Sequence, residues 1–444
     1  MNINEIIKND LCTGCGVCIS EDSKKDSKMD WNEYGFLVPN IGKGADTKSM
    51  YDICPFKIDQ YNEDFLGEKF TKHSKSIFNQ KIGYYQDLYI GYSHKFRKSS
   101  SSGGLATYVF EYLISNNIVD YLFIVASSED GYKYKLVDRN TEITSISKTR
   151  YTPVTLEQLF LIIDDLDGKI AVSGVACFLK AIRLKQLKHP HLVNKIPFLV
   201  GIVCGGLKSR FYTDYLAQEA NCFDEYDEVE YRIKKPESYA LDYKFQCRSK
   251  SENRIHMVEM RSLGDMWGTG LFKSNACDFC DDVLTELADI SLGDAWIEPY
   301  SKEGLGNSIV IVRSLLAKNI INKGVENKDL KLVSVKEDDI IKSQSGSFNH
   351  RHDGLKFRIG YRKKSNLIFP KKRARFLVNK GIVFNMVQAN RMKIRKFSLE
   401  QWKKSSNVSV FRGAILPLRI RLNRLTKINH KLNRLKKLIA RFLK

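Results

Sequence analysis

Cys12, Cys15 and Cys18 stand three residues apart in Leu-Cys-Thr-Gly-Cys-Gly-Val-Cys, and a fourth thiol, Cys54, is followed by Pro55. A tight Cys-x2-Cys-x2-Cys loop can turn three thiolates toward three irons while a remote Cys-Pro supplies the fourth, the donor set of a 4Fe-4S cubane. Gly14 and Gly16 let the backbone pass close to the inorganic sulfurs. In two-cluster ferredoxins a Cys-Pro follows the third cysteine after three intervening residues; Asp22 holds that position here. The N-terminus therefore reads as a one-cluster ferredoxin-type module over 1–60. A structural zinc site is the alternative, but zinc prefers paired Cys-x2-Cys knuckles and the triple run fits it poorly.

A second set of four is scattered: Cys177, Cys204 and the pair Cys277-x2-Cys280. Their spacing leaves a second cluster, a zinc ion and no metal all open, since a free cysteine is often a small buried hydrophobe. The elements around them decide how far apart they lie. Lys169–Gly174 and Ile196–Val203 read as short buried strands, and Phe178–Leu187 between them as an amphipathic helix. Strand, helix, strand is a βαβ unit with parallel strands and a right-handed crossover. Cys177 then lies just past the carboxyl end of the first strand and Cys204 at that of the second, the side where open α/β sheets bind ligands. A third strand, Ala288–Leu292, leads into Gly293-Asp294-Ala295-Trp296 shortly after Cys277 and Cys280. Four cysteines from three segments can thus meet at one sheet edge. Cys222 and Cys247 read as free thiols, and the eight histidines show no ligand spacing.

Upstream, Lys98 is followed by Ser99, Ser100, Ser101, Ser102, Gly103 and Gly104, and a helix is expected from Leu105 to Ile114. Small residues before a helix can leave free N–H groups facing an anion; an ordinary serine-capped turn reads the same way.

The 444 residues carry a formal net charge of +21, but not evenly. Residues 371–444 hold 22 Lys and Arg against one acid, Glu400, which leaves the body near neutrality. Residues 80–365 read as the central domain and 371–444 as a basic tail. In the tail Leu418, Leu422, Leu425, Ile428, Leu432, Leu435, Ile439 and Phe442 alternate by threes and fours, an amphipathic basic helix expected to begin after Pro417. Such a helix suits an anionic membrane surface. Docking on an acidic protein partner is the second reading. Nucleic acid ranks third, since no binding motif accompanies the charge. Packing on its own domain is the plain alternative. Neither a signal-peptide-like apolar run nor a stretch of about 18 apolar residues is present. Clustered ligand-spaced cysteines argue for a reducing cytoplasm, with the tail placing the chain on the inner membrane face.

Taken together, these residues resemble the beta subunit of coenzyme F420 hydrogenase/dehydrogenase, a family of iron–sulfur flavoproteins that also includes chlorophyll-pathway reductases and members found in bacterial polysaccharide clusters. The resemblance, to the polysaccharide-cluster type, spans roughly 5–315. It rests on Cys12–Cys18, Ser100–Thr107, Ser147-Lys148, Val175-Ala-Cys177, Val203-Cys-Gly205, Ala276–Cys280, Ala288–Trp296 and Gly306-Asn-Ser308 in that order. It implies an α/β fold with a mainly parallel sheet. It also implies FAD held by Ser100, Ser101, Ser102, Gly103, Gly104 and the Lys148 region, with Asp294 as a flavin or substrate contact, and a second 4Fe-4S cluster on Cys177, Cys204, Cys277 and Cys280. Three segments depart from the family: Ala176-Cys177-Phe178 where Pro-Cys-Gln is usual, Cys204-Gly205-Gly206 for Cys-His-Gly, and Lys148-Thr149-Arg150 for Lys-Tyr-Val. The expectation is an oxidoreductase taking electrons from a ferredoxin-like donor through two clusters to FAD and an unknown small-molecule or glycan-related substrate. A non-catalytic electron-transfer or assembly partner that has lost the substrate site is the alternative, and a zinc-bound structural protein the third.

Overall fold

The computed structural model describes residues 2–57, 61–129, 131–146 and 148–442; Ser147 and the side chain of Phe442 lie outside the described residues. Its central sheet has eight strands: β1 (Asp87–Ser93), β2 (Tyr121–Ser128), β3 (Gly131–Val137), β4 (Ile170–Gly174), β5 (Phe198–Ile202), β6 (Ile290–Asp294), β7 (Ser308–Val312) and β8 (Leu330–Ser334). The order is β8-β1-β7-β6-β5-β4-β2-β3. The middle strands are near-continuous apolar runs, Ile-Ala-Val-Ser in β4 and Ile-Val-Ile-Val in β7, because both faces are covered. β3 alternates Tyr and Lys and takes an edge, where charge blocks further pairing.

The expected βαβ unit is present. β4 and β5 pair in parallel with Val172 opposite Leu199, and α2 joins them once α1 is placed: α1 is Leu105–Ser115 and α2 is Ala176–Lys188. β6 continues the parallel run, with Ile290 opposite Val200. The expectation of a mainly parallel sheet is corrected: only β6-β5, β5-β4 and β4-β2 are parallel, and the other four pairings are antiparallel. β2 returns through a tight turn into β3, and β6 returns into β7 without a crossover helix, so both flanks reverse direction.

On one face α1 sets Leu105, Val109 and Leu113 against Ile124, Val200 and Val310. On the other, Leu179 and Ile182 of α2 pack with Val17 and Leu159, bringing the N-terminal cysteine loop onto the sheet. A three-stranded sheet (226–259) builds a second core from Tyr212, Tyr215, Phe245 and Phe272, closed by Trp402 and Phe411. Those last two belong to the basic segment. It forms two helices, α3 (Ile382–Ser405) and α4 (Val408–Phe442). The helix expected after Pro417 begins nine residues before it and runs through the proline. A proline ring crowds the carbonyl four residues back, and that residue is the solvent-exposed Gly413, which adds no bulk of its own.

The basic segment is isolated from acids along the chain but not in space. Arg373 meets Asp281 and Glu286, Arg375 meets Asp64, Arg395 meets Asp278, and Arg412 meets Glu219.

Candidate functional site

Cys12, Cys15, Cys18 and Cys54 converge on a small cavity walled by Ile3, Leu11, Pro39, Ile53 and Phe56. Gly14 donates its N–H to Cys12 Sγ at 3.4 Å. Gly14 and Gly16 both have positive φ, 71° and 76°. A Cβ on Gly14 would come 2.7 Å from the Leu37 carbonyl oxygen, and one on Gly16 would collide with Thr155 Oγ1. The glycines therefore serve the turn and its close packing. Burial pushes the Cys12 thiol up to about 12 and the Cys15 thiol up to about 11. Asp22, where a second ferredoxin would place a cysteine, closes its own turn by accepting from the Ser27 N–H at 2.8 Å and the Ser27 hydroxyl at 2.6 Å.

The loop is held by a stretch that also borders the larger site. Leu156 donates its N–H to the Cys15 carbonyl at 2.8 Å, and Glu157 accepts from the Met29 N–H at 2.9 Å. Thr149, Arg150, Tyr151 and Val154, just upstream, line a cavity of about 710 Å³.

Into that cavity also open Cys177, Cys204, Cys277 and Cys280. Cys177 is the second residue of α2, Cys204 follows β5 by two residues, Cys277 sits on a short 3-10 turn, Ala276–Phe279, and Cys280 caps that turn. Gly206 N–H donates to Cys204 Sγ at 3.2 Å and Leu207 N–H to Cys277 Sγ at 3.1 Å. Arg351 closes the group. Its Nη1 lies 3.6 Å from Cys280 Sγ and donates to the Asp282 carbonyl at 2.9 Å, while Nη2 donates to the Cys204 carbonyl. Burial opposes the charge of Arg351, but the surrounding Cys280, Cys204 and Cys277 outweigh it and hold the guanidinium charged.

The two cysteine groups are neighbours. Burial first, then Cys280, Cys277, Cys204 and, from the other group, Cys15 push the Cys177 thiol well up. Cys177 packs with Cys15 in one apolar cluster and with Cys12, Cys18 and Cys54 in another. Thr13 and Phe56 line both cavities. Among the described residues no three His, Cys, Asp or Glu gather around a single ion. A mononuclear tetrahedral zinc needs sulfurs about 2.3 Å from one centre, whereas a cubane spreads its thiolates over several irons. Cys15, Cys18, Cys54 and Cys277 are buried and Cys12, Cys177, Cys204 and Cys280 partly so; with backbone N–H donors to sulfur at both places, these thiols fit the latter donor set.

The serine loop also lines the cavity. Its hydroxyls are engaged: Ser100 with Thr107 at 3.2 Å, Ser101 accepting from the Thr149 N–H at 2.9 Å, and Ser102 donating to the Asn307 carbonyl at 3.1 Å. Gly103 passes so near β1 and β7 that a Cβ would stand 2.7 Å from the Gly91 carbonyl oxygen. Gly104, at φ 80°, caps α1 with no side-chain bond to its first N–H groups, and Leu105, Ala106 and Thr107 line the cavity. This terminus, with Lys148 and Arg150 on the same wall, fits the anionic part of a dinucleotide. Lys148 donates to Glu230 at 2.9 Å, and Asp294 accepts from Arg232 at 2.7 Å. Ser147 lies outside the described residues.

Arg351, Arg232, Lys208 and Trp267 also line the cavity and were not singled out from the sequence. Arg351, Arg232 and Trp267 lie apart from the motifs, and Lys208, four residues after Cys204, belongs to no ligand spacing, so no spacing signal marked them. Lys208 is buried, donates to the Met266 carbonyl at 2.8 Å and the Leu271 carbonyl at 2.5 Å, and is pushed down to about 7 by burial and then by Lys273.

Family profiles now fit this architecture. The profile for the N-terminal part of the coenzyme F420 hydrogenase/dehydrogenase beta subunit matches residues 88–160, and that for its C terminus matches 167–338. The chain belongs to this family. The chain is 22% identical over 256 residues to an uncharacterized protein of Methanocaldococcus jannaschii, covering 56% of this chain and 86% of that one. It is 24% identical over 227 residues to the coenzyme F420 hydrogenase subunit beta of Methanosarcina barkeri, covering 48% and 72%. A chain of the F420-reducing nickel–iron hydrogenase complex from Methanosarcina barkeri superposes with a TM-score of 0.50 at 20% identity, over 67% of this chain and 99% of that one, a likeness of fold. Measured against the family pattern, the departures lie on the cavity. A side chain at Gly205 would stand 3.0 Å from the Trp267 ring, which fills that place, and Phe178 turns into the core toward Tyr134.

Proposed function

We propose that this chain is an iron–sulfur flavoprotein oxidoreductase. In this reading Cys12, Cys15, Cys18 and Cys54 of a ferredoxin-type module hold one 4Fe-4S cluster, Cys177, Cys204, Cys277 and Cys280 hold a second, and the cavity beside the second holds FAD. The observation that carries the reading is the contiguity: Cys177 packs against both apolar clusters that hold the first four cysteines and itself lines the 710 Å³ cavity with Cys204, Cys277 and Cys280. Bound clusters would supply single electrons, and a bound flavin would supply their conversion to a two-electron transfer. The residues of the chain do the rest. The start of α1, Lys148 and Arg150 bind and orient the anionic end. Trp267 and Tyr151, packed edge to face at 4.8 Å, wall the cavity with aromatic surface. Arg232 fixes the carboxylate of Asp294, and Arg351 sets a positive charge against the second cysteine group.

The donor in this proposal is a ferredoxin-like protein and the acceptor a small molecule, with glycan precursors the first to try because the sequence resembles the polysaccharide-cluster members. A second reading, an electron-transfer partner without substrate chemistry, is favoured by Gly205, whose usual side-chain place Trp267 fills. Anaerobic purification with iron, sulfide, zinc and flavin analysis tests both. About eight irons and one flavin per chain support the first reading. Iron and sulfide without flavin leave only the second, and zinc without sulfide overturns both.

A further inference from the structure

The last part of α4 leaves the body of the protein. Val408, Phe411, Ile415 and Leu422 are buried in the second core, and Leu425 packs on its edge. From Lys427 to Ile439 every described side chain is exposed except half-buried Asn429. At a rise of about 1.5 Å per residue this stretch stands clear over about 20 Å. Ile428, Leu432, Leu435 and Ile439 recur at helical spacing and share one stripe. They are 48%, 39%, 55% and 57% exposed, which is not how a finished surface treats four aligned aliphatic residues. Lys427, Lys431, Arg434 and Lys436 flank the stripe, have no ion-pair partner among the described residues, and belong to a segment with no acid after Glu400. Upstream, by contrast, Arg395 and Arg412 are each matched to a carboxylate of the body.

We propose that residues 427–439 lie along an anionic lipid bilayer, with the apolar stripe in the interface and the flanking bases on headgroup phosphates. Two features of the same helix ask for two chemistries at once, apolar cover and negative charge, and a bilayer surface offers both in one plane. A nucleic acid would answer the charge and leave the stripe wet, and an antiparallel pairing of copies would bury the stripe while stacking like charges. A free helix of this length is marginal in water, so a surface also accounts for its amphipathic design. The helix lies rather than crosses: among the described residues none is long and apolar enough to span a membrane.

The test is co-sedimentation of the full chain with vesicles of phosphatidylcholine alone or with phosphatidylglycerol added, at low and high salt. Binding is expected only to the anionic vesicles and to weaken as salt screens it. Changing Lys427, Lys431, Arg434 and Lys436 together to Gln should lower the partition coefficient about hundredfold or more. Ile428→Asn with Leu435→Asn should lower it as well, and a chain ending at Thr426 should not bind. Iron content and circular dichroism equal to wild type establish that these variants fold. The proposal is overturned if the shortened chain binds as well as the full one, or if the full chain ignores anionic vesicles. It is equally overturned if the segment instead drives self-association, or retention on polyglutamate or nucleic acid, without vesicle binding.

Discussion

Arg373 joins the basic segment to the second cysteine group, and its removal has a calculable cost. Nη1 and Nη2 each reach a different oxygen of Glu286 at 2.7 Å, Nε reaches Asp281 Oδ2 at 3.1 Å, and Nη2 also donates to the Asp281 carbonyl at 3.0 Å. The three side chains are 1%, 2% and 1% exposed. Arg373→Met keeps most of the volume and removes the charge. Breaking a buried pair on one side costs about 3–5 kcal/mol because the surviving charge has no water. Lys372 still holds Asp281 at 3.0 Å, whereas Glu286 loses its bidentate partner. The expected penalty is therefore about 4 kcal/mol, near a thousandfold in the folding equilibrium. Burial already holds the Glu286 carboxyl above its ordinary range even with Arg373 present. Without Arg373 it rises further, and the folded variant takes up a proton. A carboxyl whose folded value lies above its unfolded value loses stability as pH climbs past the unfolded value, so the penalty should be smaller near pH 5 and larger near pH 8, changing by up to about 1.4 kcal/mol per unit in between. Urea unfolding of wild type and variant at both pH values measures this. A penalty under about 1 kcal/mol, or one that does not move with pH, would refute the reasoning.

Three further outcomes follow from the site. If the proposed second cluster is held beside Cys280, Arg351→Gln removes a positive charge near it; at about 6 Å and an effective dielectric of about 20 that is about 3 kcal/mol, so the cluster midpoint should fall by on the order of 100 mV in a potentiometric titration, and an unchanged or higher midpoint counts against the proposal. Gly16→Ala meets Thr155 at a positive φ and should cost the first site its iron, leaving about half the wild-type content; undiminished iron would show that the turn tolerates a side chain. Lys208, pushed down to about 7 by burial, sheds its proton more readily folded than unfolded, so stability should rise between about pH 7 and pH 10, and Lys208→Met should flatten that rise in urea unfolding.

The centre of the fold was legible because its signals are local. Lys169–Val203 carries two apolar runs and an amphipathic helix, and the structure sets β4, α2 and β5 there within two residues of the expected bounds. From that unit alone Cys177 and Cys204 fall on one edge. The antiparallel flanks were not legible, since apolar runs such as Ile-Val-Ile-Val of β7 look alike in either direction and only their connections set the sense. The basic segment misleads in sequence for a related reason: Arg373 and Asp281 pair across 92 positions, and a charge count along the chain sees none of it. Its apolar positions from Leu418 onward were read as one stripe, but Leu422 is buried in the body while Ile428 is exposed. Arg351, in a single helical turn over Asn349–Asp353, and Trp267, in a turn, escaped because a lone arginine or tryptophan carries no period.

The stretch from Thr149 to Glu157 faces the large cavity at one end and clasps the Cys15 loop at the other. This sets an order for biosynthesis. The first three cysteines leave the ribosome early, yet the turn that carries them has its wall only when Thr155 and Leu156 arrive some 140 residues later. At ordinary elongation rates of about 5–20 residues per second, that is a delay of roughly 7 to 28 seconds before the turn has its wall. If the N-terminal site binds a cluster as proposed, its maturation would be a late event despite its early synthesis, because Thr155 and Leu156 follow the first three strands of the central sheet.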